Sequence, residues 1–330
     1  MSDVRNRPSE FDLIERLFAP LTSSHPGAVN LKDDCATLSI ASGYEVLLSV
    51  DTLVEGIHFF REDPAGSVAQ KMLRVSLSDI AASGGSSRGY LVALSLPGGV
   101  SFEWLEDFAK GLADDQIKFN VVLLGGDTTS TSGPLTLSLT AIGEVPIGKA
   151  IRRSDVDVGD DIYVTGTIGD AALGLRLVNE VGREQASQSY PELLERYILP
   201  QPRVALGPLL ISIATSCIDI SDGLCADLSH ICEVSHVGAE IRQAAIPLSF
   251  GAESLVKNDE SYWQFVLGGG DDYELLFTAN KNKRKKIEKL AGQIKIPISR
   301  LGSIKSDEGV IVLNEEGGLV PVDGPGWKHF

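Results

Sequence analysis

Cysteine is scarce in this chain: four thiols, Cys35, Cys217, Cys225 and Cys232, occur in 330 residues. They form no CxxC pair and no zinc-ligand spacing, so they are expected to be reduced, mostly buried side chains, and the expected location is the cytoplasm. No apolar run approaches the roughly 20 residues that a membrane span needs. The opening stretch MSDVRNRPSEFDLIERLF mixes charges from the start and lacks the apolar core of a signal peptide. Positive charge is in deficit, with 29 Lys and Arg against 45 Asp and Glu and a formal net charge of −16. Such a field repels nucleic acid and anionic membrane surfaces, so neither is expected as a partner. It also repels a phosphate-bearing substrate unless cations intervene.

Familiar phosphate-binding motifs are missing too. There is no GxGxxG and no HRD/DFG pair, which sets aside Rossmann and protein-kinase sites. GEVPIGKA (143–150) fits GxxxxGK, but Ala150 stands where a P-loop needs Ser or Thr, and Pro146 suits neither the strand nor the loop. No EF-hand loop is present.

What the chain does have is 43% hydrophobic and 22% charged residues, ordinary for a globular protein with room for a real core. The periodicity predicts a helix over 10–21, β-like runs over 36–40 and 45–50, and a helix over 68–82. A strand follows over 90–96, a helix over 101–119, and strands over 121–124 and 135–144. The polar segment KAIRRSDVDVGDD (149–161) looks like a linker or crossover, and the pattern then restarts. Expected next are a strand over 162–165, helices over 171–181 and 203–214, a strand over 217–220 and a helix over 224–234. A loop, a strand over 274–278, a helix over 281–293 and a β-rich end complete the chain. These patterns predict two mixed α+β domains, 1–150 and 151–330. The basic run KNKRKKIEK (281–289) is the solvated face of a helix.

Asp recurs where apolar runs give way, often beside Gly. The places are Lys32-Asp33-Asp34, Ser49-Val50-Asp51, Leu77-Ser78-Asp79, Gly125-Gly126-Asp127, Asp219-Ile220-Ser221-Asp222-Gly223 and Gly269-Gly270-Asp271-Asp272. Singly, each is what turns and helix caps use. Together they imply repulsion: two unit charges 4 Å apart interact by about 4 kcal/mol at an effective dielectric of 20. Bound cations or raised pKa values relieve such a cluster. An all-oxygen ligand set without Cys or His pairs suits Mg²⁺ or Mn²⁺, and Mg²⁺ held by sparse carboxylates usually has phosphate as its other ligand.

The series DTLVEGIHF (51–59), LRVSLSDIAASG (73–84), GGDTT (125–129), IDISDGL (218–224), GGGDDYELLF (268–277) and GWKHF (326–330) resembles the thiamine-monophosphate kinase family. That family belongs to the PurM-like superfamily, with aminoimidazole ribonucleotide synthetase and selenophosphate synthetase. The resemblance runs in order through nearly the whole chain. It implies a two-domain PurM-like α+β architecture: an N-terminal mixed domain whose sheet forms a dimeric barrel in a homodimer, and a C-terminal α/β domain completing a cleft. It implies ATP-dependent phosphorylation of thiamine monophosphate to thiamine diphosphate by direct transfer among several Mg²⁺ ions, with no catalytic acid or base assigned. The implied metal ligands are Asp34, Ser49, Asp51, Asp79, Asp127, Asp219 and Asp222. The implied ATP contacts are Gly126, Asp127, Arg153 and Ser221, and the implied substrate contacts are His58, Asp271 and Trp327.

This chain departs from the family pattern at Lys32, where Gly is usual, at Ser76 for Asn, at Asp271 for Glu, and at Asp155-Val-Asp-Val for Gly-Ala-Lys-Pro. None of these removes an implied metal ligand. A selenophosphate synthetase needs a reactive Cys near its N-terminus, and here no Cys precedes Cys35. The chemistry fits independently: a phosphate nucleophile is already ionised near neutral pH, so the transfer needs charge neutralisation and alignment more than a strong base.

Overall fold

The computed structural model describes residues 8–322 and 326. The chain separates into two compact units, residues 8–80 with 85–148 and residues 81–84 with 149–322 and 326.

The first unit opens with α1 (Glu10–Leu13), capped by Ser9, whose Oγ accepts from the Asp12 N–H. The expected helix continues to Thr22 only in altered form, as a π turn over Ile14–Phe18 and a 3₁₀ turn over Ala19–Thr22. Pro20, with no N–H to give, stands in the first turn of that 3₁₀ segment, where none is needed. The unit's sheet contains β1 (Tyr44–Val54), β2 (Ser86–Pro97), β3 (Val122–Thr131) and β4 (Thr136–Pro146), in the order β1-β4-β2-β3. Helix α2 (Ala65–Ala82) links β1 to β2, and α3 (Phe102–Phe119) links β2 to its parallel neighbour β3. Strand β4 inserts antiparallel between β1 and β2, a split βαβ arrangement in an open sheet.

Apolar residues one helical turn apart (Val68, Met72 and Val75 on α2; Leu105, Phe108 and Leu112 on α3) are buried with Tyr90, Leu94, Leu137 and Leu139 of the sheet. Among them lies an ion pair. Arg74 on α2 donates twice to Asp115 on α3, at 2.6 and 2.9 Å, and Gln70 donates to the same carboxylate at 3.0 Å.

Residues 36–40 are not a strand, contrary to the alternation. Ala36 and Leu38 pack, half-buried, on Ala28, Val122 and Leu124, so their apolar face is partly covered without strand pairing. The order found is therefore β-α-β-α-β-β.

The second unit carries a six-stranded sheet in the order β10-β7-β9-β5-β8-β6, antiparallel except for the β10/β7 pair. Its elements are β5 (Asp161–Thr165), α4 (Asp170–Val181), α5 (Arg183–Ser189), α6 (Pro191–Ile198), α7 (Gly207–Leu210), β6 (Ser216–Asp219), α8 (Leu224–Ser235), β7 (Gly238–Arg242), α9 (Phe250–Asn258), α10 (Trp263–Gly268), β8 (Leu275–Ala279), α11 (Arg284–Ile294), β9 (Ile298–Lys305) and β10 (Gly309–Leu313). Strands β5, β6 and β8 are buried along their length, which explains their unbroken apolar runs.

Three expectations change here. The helix expected over 203–214 shrinks to α7, because Pro208 has no N–H to carry a ladder begun at 203 and is tolerated only in a helix's first turn, where it stands. The expected loop after α8 contains β7, α9 and α10. The polar segment after 149 is anchored: the Arg152 carbonyl accepts from Cys217 N–H at 3.2 Å, and the Arg153 carbonyl from Ser235 Oγ at 3.5 Å. Among the described residues no helix is long and apolar enough to cross a membrane.

Replacing Arg74 by Met keeps an apolar stem but leaves the Asp115 carboxylate buried without its cation. Urea unfolding is expected to show a loss of about 3–5 kcal/mol; a loss under about 1 kcal/mol would mean that water reaches Asp115 unaided.

Candidate active site

Strand β1 alternates in an inverted sense. Its apolar Leu48 and Val50 are 69% and 66% exposed, while Ser49 and Asp51 turn inward towards α2. Asp51 thus sits within β1, which runs on past the end expected at residue 50, and Asp79 sits within the helix expected over 68–82. Ser49 Oγ donates to Asp79 Oδ2 in a very short hydrogen bond. Burial, and then the charge of Asp79, push the Asp51 carboxyl up to about 6, against a hydrogen bond from Ser76 that lowers it. Ser76, one of the family departures, is therefore a direct neighbour of this cluster. Asp51 Oδ2 is buried and has no hydrogen-bond partner among the described residues. Three oxygen donors, two of them mutually repelling carboxylates and one with an unmatched lone pair, fit a hard divalent cation.

A second group lines a cavity of about 140 Å³ in the same unit, where Asp33 and Asp34 meet Gly125, Gly126 and Asp127. Asp34 N–H donates to Asp33 Oδ1 at 2.9 Å, so Lys32 at the preceding position still permits a tight acidic turn. Asp127 also lies within its strand, not at the end: β3 runs on through Gly125-Gly126 to Thr131. Gly126 is obligatory for the pairing, since a Cβ there would fall 1.9 Å from the Val92 carbonyl oxygen.

His58 follows β1. Its Nδ1 accepts the Val54 N–H at 3.0 Å, so the neutral ring carries its proton on Nε2. That tautomer presents a donor, the polarity a phosphate oxygen requires.

In the second unit two signature segments are laced together along their backbones. Asp271 N–H donates to the Ser221 carbonyl at 2.9 Å, Tyr273 N–H to the Ile220 carbonyl at 2.8 Å, and Ile220 N–H to the Glu274 carbonyl at 2.9 Å. A Cβ on Gly270 would lie 2.0 Å from the Ser221 oxygen, which is why glycine precedes Asp271. Asp271 and Tyr273 both take left-handed backbone angles, with φ of 71° and 50°, a cost that the surrounding bonds hold in place. The fully buried Glu274 fixes the far end. It accepts from Thr165 Oγ1, from Arg196 at 2.8 Å and twice from Arg203. Asp272 accepts the Gly169 and Ala171 N–H groups at the start of α4, although burial still pushes its carboxyl well up.

Asp219 ends β6 and is buried, and Asp222 is half-buried in the turn before α8. Ligand atoms of Asp222, Asp227 and His230 lie within 4.8 Å of one another. Asp227 and Glu274 are site residues that the motif search passed over. Asp227 looked like an ordinary polar position early in a helix, and Glu274 like the start of a strand. Arg153 is exposed. Trp327, expected against the substrate, lies outside the described residues.

Residues 32–145 match the AIR synthase related protein, N-terminal domain, and residues 157–314 match the AIR synthase related protein, C-terminal domain. A thiamine-monophosphate kinase from Caulobacter vibrioides is 37% identical over 325 residues, spanning 98% of this chain and 91% of the relative. The chain belongs to the thiamine-monophosphate kinase family. The family's enzyme from Escherichia coli K12 is also 37% identical, across 97% of this chain and 98% of its own. Among solved structures, the thiamine-monophosphate kinase of Stenotrophomonas maltophilia K279a superposes with a TM-score of 0.81 at 39% identity, covering 88% of this chain and 91% of that one. AaThiL complexed with AMPPCP and TMP superposes at 0.78 with 29% identity, covering 90% and 91%.

The Asp51 carboxyl gives a test that needs no substrate. Its folded-state pKa of about 6 lies above the unfolded value near 3.8, so the associated stability is present below pH 4 and lost as pH rises to 6. In EDTA, Asp51→Asn is therefore expected to stabilise the protein by about 1–3 kcal/mol at pH 8 and by nothing at pH 4. A lower melting temperature for the variant at pH 8 would show that the carboxylate is not strained.

Proposed function

We propose that this protein transfers the γ-phosphoryl group of ATP to the phosphate of thiamine monophosphate, giving thiamine diphosphate and ADP. The observation that carries the reading is the Ser49–Asp51–Asp79 cluster, with its orphaned Asp51 oxygen, in a chain that aligns end to end with thiamine-monophosphate kinases. AaThiL, solved with AMPPCP and TMP, has the same fold over nine-tenths of this chain, which supports both co-substrates.

In this reading Asp34, Ser49, Asp51, Asp79, Asp127, Asp219 and Asp222 hold Mg²⁺. When bound, the ions neutralise the phosphate oxygens and hold acceptor and donor in line. Gly126 lets the phosphate chain approach the β3 backbone, while Asp127, Arg153 and Ser221 contact ATP. His58 donates from Nε2 to the substrate phosphate. Asp271, one methylene shorter than the usual Glu, faces the substrate from its fixed left-handed position, and Trp327 packs on it. An oxygen of the substrate phosphate forms the new P–O bond as the bond from the γ-phosphorus to the bridging β–γ oxygen breaks and ADP leaves. No side chain needs to remove a proton, in keeping with a site rich in acceptors and poor in bases.

The reading includes a homodimer, supported by the exposed outer face of β1. Val46, Leu48 and Val50 lie side by side with β4, and Leu91 of β2 adds to the same surface at 38% exposure. A second copy of this sheet is the complementary partner in this reading.

Incubation with ATP, Mg²⁺ and thiamine monophosphate is expected to yield thiamine diphosphate by mass, one per ADP released. Asp127→Asn should retain the fold and lower kcat by about 100-fold or more. Tight ATP binding with no product would replace the kinase reading with a nucleotide sensor. Separately, Leu48→Glu should convert a dimer to a monomer in analytical ultracentrifugation; a wild-type monomer at micromolar concentration would remove the dimer from the reading.

A further inference from the structure

The turn Ser221-Asp222-Gly223 has its carbonyl side engaged by the 271–273 segment. Its N–H side has no strand partner, and Gly223, at φ 128°, supplies no side-chain cap for α8. All three N–H groups converge instead on one atom: Ser221, Asp222 and Gly223 each donate to Asp227 Oδ2 at 3.1 Å. Asp227 lies in the first turn of α8, where its own N–H reaches back to the Gly223 carbonyl at 2.9 Å, so its side chain folds over the turn it follows. It is buried at 2% exposure, so no water competes for those donors.

We propose that Asp227 is a positioning residue that sets the direction of the Asp222 carboxylate and the Ser221 hydroxyl by gathering the backbone of the turn that carries them. The inference rests on the reading of Asp222 as a cation ligand. Two features make a carboxylate the suitable group. A single anionic oxygen accepts three N–H groups where a hydroxyl or an amide is a weaker acceptor. Its negative charge also stands beside Asp222, with the two ligand atoms and one from His230 inside 4.8 Å. Asp222 is thereby held facing a like charge and an imidazole, where a divalent cation is the natural counter-ion. The three N–H groups of the turn converge on Asp227, which leaves the Asp222 carboxylate outside that set of bonds. Partners of this kind, one step removed from a cation, typically alter its affinity by about 10- to 100-fold.

The test uses the full-length protein and Mn²⁺ as probe, followed by electron paramagnetic resonance in the presence of ATP. Asp222→Asn is the reference, and amide hydrogen exchange of the metal-free protein gives a second readout. Asp227→Ala is expected to weaken Mn²⁺ binding by about tenfold or more and to abolish protection at the 221–223 amides, with protection elsewhere in the β6 and β8 strands retained. Asp227→Asn keeps the volume but offers a weaker acceptor, so it should fall between Asp227→Ala and wild type in both readouts, whereas a mere volume defect would be rescued in full. Wild-type Mn²⁺ affinity in a folded Asp227→Ala overturns the proposal. If that variant does not fold, equal affinity of Asp227→Asn and wild type, with unchanged exchange at 221–223, overturns it instead. Wild-type Mn²⁺ affinity in Asp222→Asn also overturns it, because Asp227 would then position nothing. Turnover is read separately: a wild-type protein that binds Mn²⁺ through Asp222 but yields no thiamine diphosphate refutes the functional reading and leaves this inference standing.

Discussion

A half-buried carboxylate, with one oxygen fully enclosed, beside a second carboxylate is the constraint on which the first unit turns. Asp51 and Asp79 come from a strand and a helix locked together by the core of Met72, Leu77 and Leu139, so neither can retreat into water. The protein therefore stores an unfavourable charge pair when it folds, visible as an Asp51 carboxyl pushed up to about 6 and an oxygen left without a donor. In the proposed reading, relief comes from outside the chain as the positive charge of bound cations. This also resolves the contradiction posed by a net charge of −16 and a phosphorylated substrate. A field that repels phosphate attracts cations, and the cations reverse the local sign.

The second unit treats its acids in the opposite way. Glu274 is met by two guanidinium groups, Asp272 by the N–H groups at the start of α4, and Asp227 by three N–H groups of one turn. Glu274 is held by ion pairs, while Asp272 and Asp227 keep their N–H partners although burial pushes both carboxyls up, Asp227 to about 7, and each of the three lies within a few residues of Asp219, Asp222 or Asp271. Buried polar networks of this kind fix one backbone arrangement when every member has its partner. The left-handed angles of Asp271 and Tyr273 persist because the lacing to residues 220–221 and the Glu274 anchor leave no alternative. One unit thus leaves a carboxylate oxygen without a donor, and the other surrounds its acids with donors that fix the backbone beside them.

Much of this was legible in the sequence, for identifiable reasons. Long periodic stretches such as 101–119 gave correct elements because burial on one face dictates their spacing. Ser49, Asp51 and Asp79 were singled out by motif, and they do meet. Strands β1 and β3 run on past the ends expected at 50 and 124, so Asp51 and Asp127 lie within them, because an Asp in a strand is invisible to a reading that treats acids as turn residues; Asp79 falls in the helix expected over 68–82. Alternation also misled at 36–40, since lying on an apolar surface and pairing in a ladder demand the same pattern. Asp227 was missed because its role depends on backbone donors, which carry no sequence signal. Glu274 was missed because its two arginines come from α6 and the segment before α7, some 70 residues away in each case.

Strand β1 shows why the site and the association surface belong to one design. A strand's side chains alternate strictly, so sending Ser49 and Asp51 towards α2 sends Leu48 and Val50 the other way. Shifting the register by one residue would bury the leucine and valine and expel the acids, a change that hydrophobic burial alone would favour by roughly 1.5–3 kcal/mol per side chain. The eleven-residue ladder with β4 opposes that slip, as does the Ser49 hydroxyl's bond to Asp79. In the proposed dimer the outer face is covered as well, so the apolar residues that would otherwise pull the strand out of register are buried where they stand. Covering that face and keeping a strained acid pair on the other are then a single requirement, met by one strand.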